Sequence, residues 1–212
     1  MVRYLVLQTS LISFTRRLSV IMNQELSQFL HAIFPLPDAV LEEVLAAFTH
    51  WEYPKNHYLL KQGRPCSYLY FLKKGAVRYI FTDDNGKENN VWFTFENDVV
   101  TDATSFVQQQ PAFESIQLLE ESELYGIHYD DLSNLLQQHH AFALWYIKLV
   151  EQFYIVQIEE RVFDLQFLSA RERYEKLLEY FPNITNRVSL GHIASYLNIT
   201  QETLSRIRAN KV

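Results

Sequence analysis

The stretch SLGHIASYLNITQETLSRIRANKV, residues 189–212, decides how the rest of the chain is read. Ser189 is placed to cap a short helix, with Ile193, Ala194 and Leu197 spaced along one inward face. Asn198 follows where a tight turn needs a left-handed residue, a conformation Asn tolerates better than most. Thr200 can then cap a second helix whose buried positions are Leu204 and Ile207. A helix, a short turn at Asn198-Ile199 and a second capped helix make a helix-turn-helix.

The outer face of the second helix carries Gln201, Glu202, Ser205, Arg206 and Arg208. These are side chains that read base edges: Arg donates to guanine O6 and N7, Glu accepts from cytosine N4, and Gln pairs with adenine. Glu202 and Arg206, four residues apart, share one face. Alone they would be an ordinary surface ion pair; inside a capped helix-turn-helix, base readout is the expectation.

Upstream, Ser169 and Glu172 form an S-x-x-E capping box, so a helix starts there and runs to about Phe181 before Pro182. Residues 129–168 contain no Pro, and their only pattern is helical apart from a break near Phe167–Ser169. One apolar stripe is Ile147, Tyr154, Ile158, Leu165 and Leu168; a second is Phe142, Tyr146, Leu149, Phe153, Val156, Phe163 and Phe167. Two stripes need two partners. One is the preceding domain, and the expected other is the same helix of a second copy; a helix buried within a monomer is the alternative.

From about 53 to 127 the pattern is of short strands: HYLL, YLYFL, AVRYIF, VWFTF, DVV, SIQLL and ELYGI, with Asn85-Gly86 as a hairpin signal. Strands at this spacing predict a sandwich or barrel. Residues 23–50 read as two helices split by Pro35 and Pro37, with Asp38 capping the second. The fold class expected is α+β, in four parts: 1–22 a leader that raises the prospect of a start at Met22, 23–128 a β-roll with N-terminal helices, 129–168 helices including the long one, and 169–212 the helix-turn-helix domain.

At this point the chain resembles the CRP/FNR family of transcription regulators over residues 35 to 209. T-x-E-T-L-S-R, residues 200–206, is similar to that family's recognition helix. HYLLKQGRPCSYLYFLKKGAVRYIFTDDNGKE, residues 57–88, looks like its cyclic-nucleotide-binding β-roll, with Gly63, Gly75 and Gly86 at turns. The resemblance implies a jelly-roll sensor domain, a dimerising helix and a DNA-binding domain. Gln201, Glu202 and Arg206 then fall on base-reading positions, and Thr200, Thr203, Ser205 and Arg208 on phosphate contacts. A homodimer on a palindromic operator and contact with RNA polymerase are implied partners. The sequence departs from winged members in that no β-hairpin follows the recognition helix.

Members that bind cyclic AMP use a Gly-Glu pair for the ribose and an Arg-Ser or Arg-Thr pair for the phosphate. Here Thr101-Asp102 stands in the first place, and the second falls in the region Ala112 to Ser115. No Arg occurs between Arg78 and Arg161. A desolvated phosphate without such a partner costs several kcal/mol, so cyclic AMP is not expected to bind in the usual manner. Phe93, Phe95, Asp102, Phe106 and Phe113 are candidates to line a pocket for some other small-molecule effector, but packed core is the favoured reading of the phenylalanines.

Bulk properties set outer limits. The net charge of −6 argues against a protein that coats nucleic acid, yet residues 169–212 hold seven basic and four acidic side chains. One cysteine, Cys66, excludes an intramolecular disulfide and a four-cysteine iron–sulfur cluster, and makes the cytoplasm the default. His139-His140 and the His50/His57 pair lack metal-ligand spacing, so no metal or cofactor is expected. Neither a phosphate loop nor a nucleophile elbow appears, and no uninterrupted apolar run suggests a membrane span. A non-enzymatic DNA-binding regulator is the leading reading; a sensor or interaction module with a degenerate DNA-binding domain is the other.

Overall fold

The computed structural model describes residues 24–209, except for the Phe153 side chain. The expected leader at 1–22 and the side-chain placement of Phe153 lie outside the described residues.

Among the described residues two helices come first, α1 (Gln24–Ile33) and α2 (Asp38–Ala47). Asp38 does not cap α2 as expected: it is the first helical residue, and Pro37 precedes it with no side-chain cap. Eight strands follow: β1 (Thr49–Tyr53), β2 (Tyr58–Leu60), β3 (Tyr68–Lys74), β4 (Val77–Thr82), β5 (Glu88–Thr94), β6 (Asp98–Val100), β7 (Ser115–Leu118) and β8 (Ser122–His128). One short helix, α3 (Ala103–Gln108), sits between β6 and β7. The strands form two antiparallel four-stranded sheets in the orders β1-β8-β3-β6 and β2-β7-β4-β5. This is the expected α+β fold with a jelly roll. Strand β1 was not expected, because Trp51 continues the helical apolar spacing; Thr49 to Tyr53 instead pair with Gly126 to Ser122 of β8.

Glycines allow two close approaches. Gly75 has φ +125°, and a Cβ there would stand 2.1 Å from Ser122 Oγ. A Cβ on Gly126 would meet the Trp51 ring at 2.4 Å and the Tyr70 ring at 2.6 Å. Leu72, Val77, Val100, Ile116, Leu118 and Leu124 fill the space between the sheets at 1% exposure or less, the kind of burial that contributes about 1.5–3 kcal/mol per large apolar side chain, while Phe71 turns to the opposite face, its ring 4.5 Å from that of Phe29 in α1.

Helix α4 (Tyr129–Gln138) leaves the roll, and His139 breaks it in an extended conformation. A long helix follows, made of α5 (His140–Val150), one wide turn at Glu151–Ile155 and α6 (Val156–Phe167). Its first half is anchored: Trp145 is buried, stacks on Phe142, and donates its indole N–H to the Leu30 carbonyl at 2.8 Å. The second half is not. No residue of α6 is buried, and Ile147, Tyr154, Ile158 and Leu165 are all exposed. The second stripe divides along its length. Phe142 and Leu149 pack on the roll, but Phe163 and Phe167 are 55% and 67% exposed, because the helix has run past the edge of the roll by then.

Leu168 turns the chain, and α7 (Ala170–Tyr180) begins with the expected capping box of Ser169 and Glu172. The short α8 (Ile184–Arg187), α9 (Leu190–Tyr196) and α10 (Gln201–Ala209) complete the fold.

Candidate nucleic-acid interface and ligand cavity

The last two helices form as the local sequence dictates. Ser189 accepts a hydrogen bond from the His192 amide, and Thr200 accepts one from Thr203 at 3.1 Å. Asn198 takes φ +54° between them. Ile193, Ala194, Leu197 and Leu204 are buried, and Ile207 is half-buried against them.

That packing turns the polar face of α10 to solvent. Gln201, Glu202, Ser205, Arg206 and Arg208 are exposed, as is Thr200; Thr203 is half-buried. Glu202 and Arg206 are ion-paired with about three quarters of each side chain exposed. The pair therefore adds little to stability, and both groups are free to exchange one another for an outside partner. Ser205 is turned back to the Gln201 carbonyl at 3.0 Å.

Helix α9 docks on β5 of the roll. The Asn90 amide donates to Ser195 Oγ at 2.9 Å, and Tyr196 packs on Trp92 and Phe93. Beside it, buried Arg78 donates to Gln117 at 2.8 Å, pairs with Glu88 at 2.9 Å, and reaches His192 Nδ1 at 3.1 Å. The His192 nitrogen must accept there, and both burial and the Arg78 charge push its pKa down, so the imidazole is neutral. Arg187 grips both carboxylate oxygens of Glu96 and also pairs with Glu120. Burial opposes ionisation of Glu96, but the Arg187 hydrogen bonds and the Gly75 amide prevail and hold its pKa low. Arg161 lies over the Tyr196 ring at 3.8 Å and Arg173 donates to the Leu197 carbonyl at 3.0 Å.

This docking decides between pocket and core for two of the five candidate residues. Phe93 and Phe95 do not line a ligand pocket; they are buried against Tyr196 and Phe181 of the C-terminal helices. The other three do meet at a cavity of about 630 Å³ where the roll faces the long helix. Phe106 and Asp102 form part of its wall and Phe113, 73% exposed, stands at its mouth. Asp102 also caps α3 by accepting from the Ser105 amide at 2.9 Å.

Sequence reasoning missed Asp98, Glu114 and Tyr79 in the same wall. Among the described residues no Lys or Arg lines it. Burial raises the Asp98 carboxyl to about 6; burial, with the Asp102 charge second, raises Glu114 to about 7. The acid-rich, Arg-free run from 79 to 160 was the available signal.

Cys66 is buried, with Sγ 3.4 Å from both the Tyr68 carbonyl and Thr101 Oγ1, and burial pushes its thiol pKa up, which opposes a redox role. His139 contacts Glu43 at 3.0 Å. Among the described residues no cluster of metal-ligating side chains occurs, and no helix is long and apolar enough to cross a membrane.

Residues 50–139 match the family described as Cyclic nucleotide-binding domain. The chain is similar to the Anaerobic regulatory protein of Pasteurella multocida (strain Pm70), 26% identical over 167 residues that cover 72% of this chain and 59% of that protein. It thus spans less than two thirds of that relative. In fold it is similar to FixK2 from Bradyrhizobium japonicum, with TM-score 0.66 and 18% identity over 77% of this chain and 83% of that one. It is also similar to CLP of Xanthomonas campestris, titled a c-di-GMP responsive global regulator, with TM-score 0.64 and 20% identity over 82% and 91% of the two chains. A segment matching the cyclic nucleotide-binding model, followed by a long helix and a capped helix-turn-helix, supports a likeness of the chain to CRP/FNR family regulators.

Proposed function

We propose that the protein is a homodimeric, sequence-specific DNA-binding transcription regulator that does not respond to cyclic AMP. The observation that carries this is the face of α10: Gln201, Glu202 and Arg206 are exposed together on a helix whose other side is locked by Leu204. In this reading those three contact base edges, while Thr200, Thr203, Ser205 and Arg208 hold the phosphate backbone. The apolar face of α6, continued by Ile147 and Tyr154, is where two copies meet in this reading, and a two-fold operator requires their recognition helices to stand about 34 Å apart. The absence of a basic group in the cavity wall supports the exclusion of cyclic AMP. RNA polymerase is the further partner this reading implies.

Selection from random duplexes tests it. An enriched inverted repeat is expected; no enriched sequence at low salt would leave the module without useful DNA binding. Micromolar binding of cyclic AMP by calorimetry would overturn the effector part.

A further inference from the structure

The cavity between the roll and the long helix has a chemistry of its own. Its volume, about 630 Å³, is in the range that holds a drug-sized organic molecule. The wall is mostly apolar and aromatic, with Trp92, Tyr146 and Tyr154 among its rings. Three carboxylates, Asp98, Asp102 and Glu114, share that wall, and among the described residues no basic side chain lines it. Asp102 is committed to the α3 amide. The Asp98 carboxylate takes only its neighbour's amide, Val99 N–H at 2.7 Å, and neither Asp98 nor Glu114 forms an ion pair among the described residues.

Carboxylates held beside apolar surface without a counter-charge are costly unless something positive arrives. An incoming anion would add repulsion. An incoming ammonium ion would neutralise them, and ring faces nearby favour the same sign of charge.

We propose that this cavity binds an organic ammonium ion with an apolar body, its charged head between Asp98 and Glu114 and its body against the aromatic wall. The consequence for gene control rests on the regulator reading above; the binding itself does not. A ligand seated there touches Tyr154 and Ile158 of the long helix as well as the roll, so it bridges the two.

Phenylalkylamines with spacers of two to six carbons serve as probes of the full chain, with the matching phenylalkanols, phenylalkanoates and cyclic AMP as controls. Calorimetry at pH 7.5 should rank amine above alcohol by about tenfold, the worth of one charge-assisted hydrogen bond, and alkanoate and cyclic AMP last. Near pH 6.5 amine binding should release protons, seen as a buffer-dependent heat, because Asp98 and Glu114 titrate at about 6 and about 7 in the free protein and are driven to ionise by the ammonium. Asp98→Asn and Glu114→Gln should each weaken the amine about tenfold and leave the alcohol unchanged. If one variant fails to fold, the other variant, the ranking and the proton release still decide. Equal binding of amine and alcohol, tighter binding of an anion, or no binding of any amine at millimolar concentration overturns the proposal. An enriched operator without amine preference would refute the ligand class alone; amine preference without any enriched operator would refute the regulator reading alone.

Discussion

Replacing Arg187 by Met should loosen the C-terminal helices from the roll without unfolding either. The wild-type guanidinium donates to Glu96 at 2.7 and 2.8 Å, pairs with Glu120, and lies 5.0 Å from the Phe95 ring centroid. The three side chains are about a quarter to a third exposed. At an effective dielectric of about 20 each contact is worth ~4 kcal/mol before desolvation and side-chain ordering are subtracted. Those costs leave about 1–3 kcal/mol for a partly exposed network, between the values of surface and buried pairs. Methionine keeps the apolar stem against Phe95 but leaves two carboxylates facing each other. A loss of about 2 kcal/mol raises the undocked population roughly 30-fold. The Asn90 amide reports this directly, because its acceptor, Ser195 Oγ, lies across the contact. Its hydrogen exchange, corrected for intrinsic rate, should quicken about 30-fold, while amides between β3 and β8 keep their rates. Unchanged Asn90 exchange, or equal acceleration throughout the roll, would refute the reasoning.

Arg206→Ala should leave the melting temperature unchanged, since its ion pair is exposed, yet weaken operator binding by about 1–3 kcal/mol and relax preference at one base pair; anisotropy titrations on single-base variants would show otherwise if the loss were equal on every sequence. Leu165→Glu, on a helix with no buried residue, should shift the sedimenting species to a 25.1 kDa monomer while far-ultraviolet dichroism stays native, and a persistent dimer would move the contact elsewhere. Asp98→Asn should stabilise the protein at pH 8 by about 2–3 kcal/mol. The folded carboxyl holds its proton to about pH 6 against 3.8 for a free one, so stability falls as pH rises through that window. Urea titrations should therefore show the gain closing near pH 4, and a wild type more stable than the variant at pH 8 would contradict it.

Local rules made much of this fold legible. Ser189, Asn198, Thr200 and the Ser169–Glu172 box each act within four residues, and each formed as expected. The β4–β5 hairpin at Gly86 and the seven expected strands likewise follow from neighbours in sequence. What stayed hidden depends on distant partners. Thr49–Tyr53 is a strand because β8 offers an edge about 75 residues later, a pairing no local pattern announces. The short helix α3 owes its start to one Asp102 cap. Phe93 and Phe95 find their partners, Tyr196 and Phe181, far downstream in the chain, and Arg78 looks like a strand residue until His192 meets it. Asp98 and Glu114 gain their chemistry only where the long helix closes over the roll.

Strand β5 is the last strand of its sheet, and α9 lies along it with Ser195 taking the Asn90 amide. An open strand rim is an invitation to pair with another chain, and here the C-terminal helices occupy it. Cutting the chain after residue 168 would strip that cover and expose Trp92 and Phe93 beside unpaired backbone. The isolated roll is therefore expected to self-associate through β5, and the C-terminal helices serve as its guard against aggregation.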